Sequence, residues 1–123
     1  MIYFLLAQAV LGVPDSIVVT VTSGTVTIGM SFTVQVQLFN GGSLDSSSDV
    51  ITLSVNTGTL SGTLTDSSAS ATRTFTGLTL NTLGSVTITA TDSTTPLTAT
   101  VTFTVYSKAL VLSATSPVSV TFI

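Results

Sequence analysis

The sequence has no cysteine, histidine, glutamate or tryptophan, and its only cations are Arg73 and Lys108. Each absence removes a class of chemistry. Without cysteine there is no thiolate metal site, and disulfides say nothing about the redox compartment. Without histidine or glutamate, the usual acids, bases and imidazole ligands shrink to five scattered aspartates: Asp15, Asp45, Asp49, Asp66 and Asp92. No catalytic residue, metal ligand or cofactor is assigned, and a non-enzymatic role is expected. Two cations cannot neutralise a row of phosphates, so neither nucleic acid nor an anionic membrane surface is an expected partner. Charged residues make up only 6% of the chain, with a net charge of -3.

What the chain has instead is threonine, serine and valine in alternation. Residues 84–106, GSVTITATDSTTPLTATVTFTVY, hold two such runs. Val86, Ile88 and Ala90 point one way against Ser85, Thr87 and Thr89. Ala99, Val101, Phe103 and Val105 then alternate with Thr98, Thr100, Thr102 and Thr104. A period of two with one hydroxylated face predicts half-buried strands, and the Asp92 to Pro96 cluster predicts the turn between them. A hairpin with one dry face needs a second sheet to cover it.

The remaining strands follow from the same pattern. Residues 16–22 place Ile17, Val19 and Val21 on one face. Ser23-Gly24 breaks the run and residues 25–28 resume it, as a first strand that changes sheets at a kink would do. Phe32, Val34, Val36 and Leu38 form the clearest inward set, followed by Ile51, Leu53 and Val55. These sets and those of the hairpin are expected to share one core, with Phe103 central. A weak strand is expected over residues 59–64, and another run over 69–75 that leads over a corner at residues 77–80. Arg73 shares parity with core residues, so it is expected near a sheet end, reaching water or pairing with Asp66 or another carboxylate. Seven or so short strands with regular turns and no helical period predict an all-β, antiparallel two-sheet sandwich.

The strings GMSFTVQVQLFNGG, DVITLSVNTGTLSG and FTGLTLNTLGSVTITATD together resemble the bacterial-type immunoglobulin-like repeats of invasin- and intimin-like adhesins. The likeness covers residues 16 to 106. It implies an immunoglobulin-like fold and a structural or adhesive role at the cell surface, since such repeats serve mostly as spacers and in some cases as ligand-binding tips. Arg73 stands where these repeats usually carry a small apolar residue. Val86 stands where many carry tyrosine, so the corner hydrogen bond of immunoglobulin-like folds is not expected.

Three parts are therefore delimited: an apolar segment 1–13, the sandwich 14–106 and a C-terminal strand 107–123. Residues 1–13, MIYFLLAQAVLGV, are too short to span a membrane. They fit the remnant of a signal peptide, a strand or short helix docked on a neighbouring molecule, or a flap over the chain's own domain. Residues 109–116, ALVLSATS, match residues 16–23, SIVVTVTS, in character and without gaps, at an offset of 93 residues. The C-terminal segment thus reads as the first strand of a second copy. The candidate assembly residues are Ile2, Tyr3, Phe4, Leu5 and Leu6 at one end, and Leu110, Leu112, Val118, Val120 and Phe122 at the other.

Two functions follow. One is an extracellular structural module of a surface filament or appendage, joined head to tail to other copies or to neighbouring repeats. The other is an adhesin-type module that binds a glycan or protein through its loops, with the Gly- and Ser-rich loop 40–49 as the candidate site. In that loop Leu44 is expected to plug the end of the core. The hydroxyl-rich surface offers sites for O-linked glycans. No Asn-x-Ser/Thr sequon occurs at Asn40, Asn56 or Asn81. Asp15 and Asp92 flank loops, where calcium binding and plain loop capping both fit, and no clustered calcium motif is present.

Overall fold

The computed structural model describes residues 13–108. Every regular element there is a strand: β1 (Ser16–Val21), β2 (Val26–Thr27), β3 (Phe32–Asn40), β4 (Ser43–Leu44), β5 (Ile51–Val55), β6 (Leu60–Ser61), β7 (Thr65–Asp66), β8 (Thr72–Leu80), β9 (Gly84–Asp92) and β10 (Leu97–Tyr106). One sheet has the order β1-β3-β8-β6, with β4 beside β3, and the other has the order β2-β10-β9-β5-β7. All pairs are antiparallel except β2 with β10. This is the strand order of an immunoglobulin-like sandwich, with strands A-B-E-D facing C-F-G.

Alternation builds the core. Val34, Val36 and Leu38 from one sheet meet Ile51, Leu53, Val86, Ile88 and Ala90 from the other, all of them buried. The expected hairpin is present, with Ala99 opposite Ala90, Val101 opposite Ile88 and Phe103 opposite Val86. The first strand splits as expected: β1 pairs with β3, and after the Ser23-Gly24 kink β2 pairs with β10 in the other sheet. Residues 77–80 differ from expectation. They do not turn a corner but continue β8 through a bulge. Phe32 faces Leu78 while Val34 faces Phe75, so β8 holds one residue more than β3 over that interval. Gly77 takes the bulge at φ 69°, a conformation that a side chain disfavours. The extra residue resets parity, and Arg73, Phe75, Leu78 and Leu80 all point inward.

Phe103 is not central. It, Val101 and Ala99 are half-buried, while their partners on β9 are fully enclosed. The reason is topological: β10 lies near the margin of its sheet, with only the two-residue β2 beyond it.

The chain enters and leaves this body at opposite poles. Near its start, Asp15 N–H donates to Phe39 O at 2.8 Å and Asn40 Nδ2 donates to Val13 O at 2.9 Å, which places Val13 and Asp15 at the far end of β3. Near its finish, Ile28 N–H donates to Tyr106 O at 2.9 Å, and Gly29 N–H donates to Leu80 O at 2.9 Å, beside the first residues of β3. The nine residues of β3 separate the two poles, by roughly 25–30 Å at the usual rise per residue.

Candidate functional site

Two features stand out, a polar plug at the N-terminal pole and an open strand edge along one side. The plug is built around Arg73, whose side chain is 0% exposed. Its guanidinium does not reach water, contrary to one of the two expectations; it pairs with Asp66 as the other foresaw, Nη1 to Oδ1 at 3.3 Å. Nη1 also donates to Asp66 O at 2.9 Å, Nε to Ser70 O at 2.5 Å and Nη2 to Ser47 O at 2.6 Å. A buried cation held by three carbonyls and a carboxylate satisfies its planar fork of donors.

Around it sit two buried carboxyls, Asp49 and Asp92. Ser47 Oγ donates to Asp49 Oδ1 at 2.5 Å and Thr95 Oγ1 donates to Asp49 Oδ2 at 3.0 Å. Asp92 Oδ1 accepts the backbone N–H groups of Thr94 and Thr95, each at 3.0 Å, and so caps the β9–β10 turn. Asp92 Oδ2 is buried beside Asp49 with no other partner. Burial pushes the Asp92 carboxyl above the ordinary carboxylate range, and the neighbouring Asp49 pushes it further, against the pull of the turn N–H groups. At Asp49 burial acts in the same upward sense. It is outweighed by hydrogen bonds from Ser47, Asp92 and Thr95 and by the charge of Arg73, which together hold this carboxyl low. Of the two neighbouring carboxyls, Asp92 is therefore the one that takes up a proton first as pH falls, and Asp49 the one that stays ionised. At Asp66 burial also acts upward, and the hydrogen bonds from Ser68 and the charge of Arg73 hold it low.

The signs of these shifts differ. A raised Asp92 contributes stability below the ordinary carboxylate value and loses it as pH rises through its folded value; the lowered Asp49 and Asp66 contribute above that value and lose it in acid. Asp92→Asn keeps the acceptor for the turn and removes the buried charge beside Asp49. Thermal unfolding across pH should find the variant more stable than the parent at pH 7, with the gap closing as pH falls toward the ordinary carboxylate value. A gap independent of pH would contradict the upward shift of Asp92.

The plug also settles the loop. Residues 40–49 are not a loose connection: β4 pairs back on β3, and Ser47 and Asp49 are buried in the hydrogen-bond network of Arg73. Leu44, expected inside, is 54% exposed. Its place is taken by the polar groups, because a buried guanidinium recruits carbonyl and carboxylate oxygens. Asp15 Oδ2 accepts Gly41 N–H at 2.9 Å, so it, like Asp92, caps a loop. Among the described residues no group of three or more acidic, histidine or cysteine side chains converges as a metal site would require.

The open edge lies on β10. On the side away from β9, β2 covers Val105 and Tyr106, and no described strand pairs with residues 97–104. A cleft of about 420 Å³ lies beside the second half of β10, lined by Thr20, Val21, Gly24, Val26, Val101 and Phe103. Tyr106 is 55% exposed at its mouth. The ten assembly residues named from the sequence, Ile2 to Leu6, Leu110, Leu112, Val118, Val120 and Phe122, lie outside the described residues. No family model and no curated protein matches the chain. Among the described residues no helix is long and apolar enough to cross a membrane.

Proposed function

We propose that this chain is a structural immunoglobulin-like module that joins end to end with like modules, as in an extracellular filament or surface appendage. The observation that carries the reading is that the chain enters the sandwich at Val13 and leaves it after Tyr106 at opposite poles. A module threaded from pole to pole transmits the chain along one axis, and successive copies add length. The resemblance to adhesin repeats points the same way, as does a surface kept wet by threonine and serine hydroxyls with few charges. Recognition through loop 40–49 is the weaker alternative, because that loop is fastened to the core by Ser47 and Asp49.

The test asks which poles meet in neighbouring molecules. Contacts between the N-terminal pole of one and the C-terminal pole of the next are expected, and contacts between like poles overturn the reading.

A further inference from the structure

Most edges of this sandwich are blunt. β6 and β7 end their sheets with two residues each, and β8, which β6 leaves unpaired over residues 72–78, is guarded by the charged Arg73 and the bulge at Gly77. β1, at the margin of the first sheet, is only six residues long. β10 is the longest strand, and beyond Pro96 its ten residues, like the six of β1, contain neither a charge nor a proline, the usual protections of an exposed edge. Tyr106 O accepts from Ile28 N–H on the side of β2. Strand alternation therefore turns the N–H and C=O groups of Thr98, Thr100, Thr102 and Thr104 to that same side. Val101 and Phe103 stand half-buried beside this row, over the cleft.

We propose that the open edge of β10 receives residues 109–116 of a second copy, lying parallel to β10 and collinear with the β2 already there. Three observations select this occupant. First, the lengths agree, since residues 97–104 and residues 109–116 are both eight-residue stretches. Second, Leu110, Leu112 and Ala114 share one parity against Val111, Ser113 and Thr115. Such a strand extends the dry face of Ala99, Val101 and Phe103 while keeping hydroxyls on the threonine face. Residues 2–6 would place either Tyr3 and Leu5 or Ile2, Phe4 and Leu6 on the wet face, where residues 109–116 place only Val111 as a large apolar side chain. Third, direction fits. β10 runs from the N-terminal to the C-terminal pole, so a chain leaving the C-terminal pole of one molecule meets the next at Leu97 and runs parallel to its β10. The molecule's own segment cannot fold back as a tight hairpin on this edge, because Val26 and Thr27 already occupy the positions beside Val105 and Tyr106. Neither strand carries a charge that would be buried.

The inference rests on the end-to-end reading and adds the contact that makes the join. Its test uses the full chain in sedimentation velocity over a concentration series. Thr102→Pro removes an N–H that faces the open side, which an edge strand tolerates, and disables the acceptor. Leu112→Asp disables the inserted strand. Each variant alone is expected to stay monomeric where the parent associates, and an equimolar mixture to form one-to-one pairs, because each supplies the half that the other lacks. A Thr102→Pro chain that associates like the parent overturns the edge, even where opposite poles still meet. A parent that stays monomeric, or a mixture of folded variants that does, overturns it too. Should Thr102→Pro fail to fold by circular dichroism, a synthetic peptide of residues 109–116 takes its place. It is expected to bind the Leu112→Asp chain, and absence of binding overturns the proposal.

Discussion

Arg73→Ala is expected to lower the stability of the sandwich by about 3–5 kcal/mol, the cost of breaking a buried ion pair from one side. The carbonyls of Ser47, Ser70 and Asp66 lose the donors that satisfy them, and Asp49 loses a nearby positive charge. A cavity the length of an arginine side chain is left between the sheets. Arg73→Met would refill most of that space and still be costly, because the three carbonyls remain unpaired in a dry site. Arg73→Lys should fall between, since an ammonium cannot reach all the acceptors that the fork reaches. Urea denaturation of the three variants checks the order. If Arg73→Met matches the parent, the guanidinium is a tolerated intruder and the plug does not hold the pole together.

Phe32→Ala is expected to cost about 3–5 kcal/mol as well, for a different reason. Phe32 is 2% exposed at the start of β3, and its ring meets that of Phe103 at 5.9 Å between centroids, tilted by 57°. Removing it leaves a cavity that the two rigid sheets cannot close. Phe103→Ala removes the other ring of the pair but should cost distinctly less, because Phe103 is half-buried and its space opens into the cleft. Calorimetric melting of the two variants gives the comparison. Equal losses would mean that β10 is covered on its open side even in an isolated molecule.

The sandwich was legible because hydroxyl and apolar residues alternate with few interruptions. Val86, Ile88 and Ala90, or Val34, Val36 and Leu38, leave no doubt about which face is dry. The bulge in β8 was not legible, since Gly77 reads equally well as a corner, and only the pairing with β3 shows that the strand continues. The plug was half visible. Arg73 announced itself by sharing parity with Phe75, but Asp92 continues the parity of Ala90, and Asp49 that of Ile51, in the same way. Reading these aspartates as turn residues hid that signal. Turn capping and burial are not exclusive, and Asp92 does both. Leu44 was misplaced because an apolar residue in a polar loop suggests a plug, and nothing local shows that charged groups already fill that end. The open edge could not be read from β10 itself, because an unpaired edge is a property of neighbours and depends on β2 ending after two residues.

The central claim is that molecules of this chain meet N-terminal pole to C-terminal pole. The chain has no native cysteine, so single introduced thiols report contacts without background. Ser43→Cys marks the N-terminal pole and Ser107→Cys the C-terminal pole, both at exposed positions. Equal amounts of the two full-length variants, mixed at associating concentration and treated with a short bismaleimide, should yield the mixed 43–107 product. Neither single variant should cross-link to itself. Products joining 43 to 43 or 107 to 107 with comparable yield would mean a symmetric pairing of like poles, and the end-to-end account would fail.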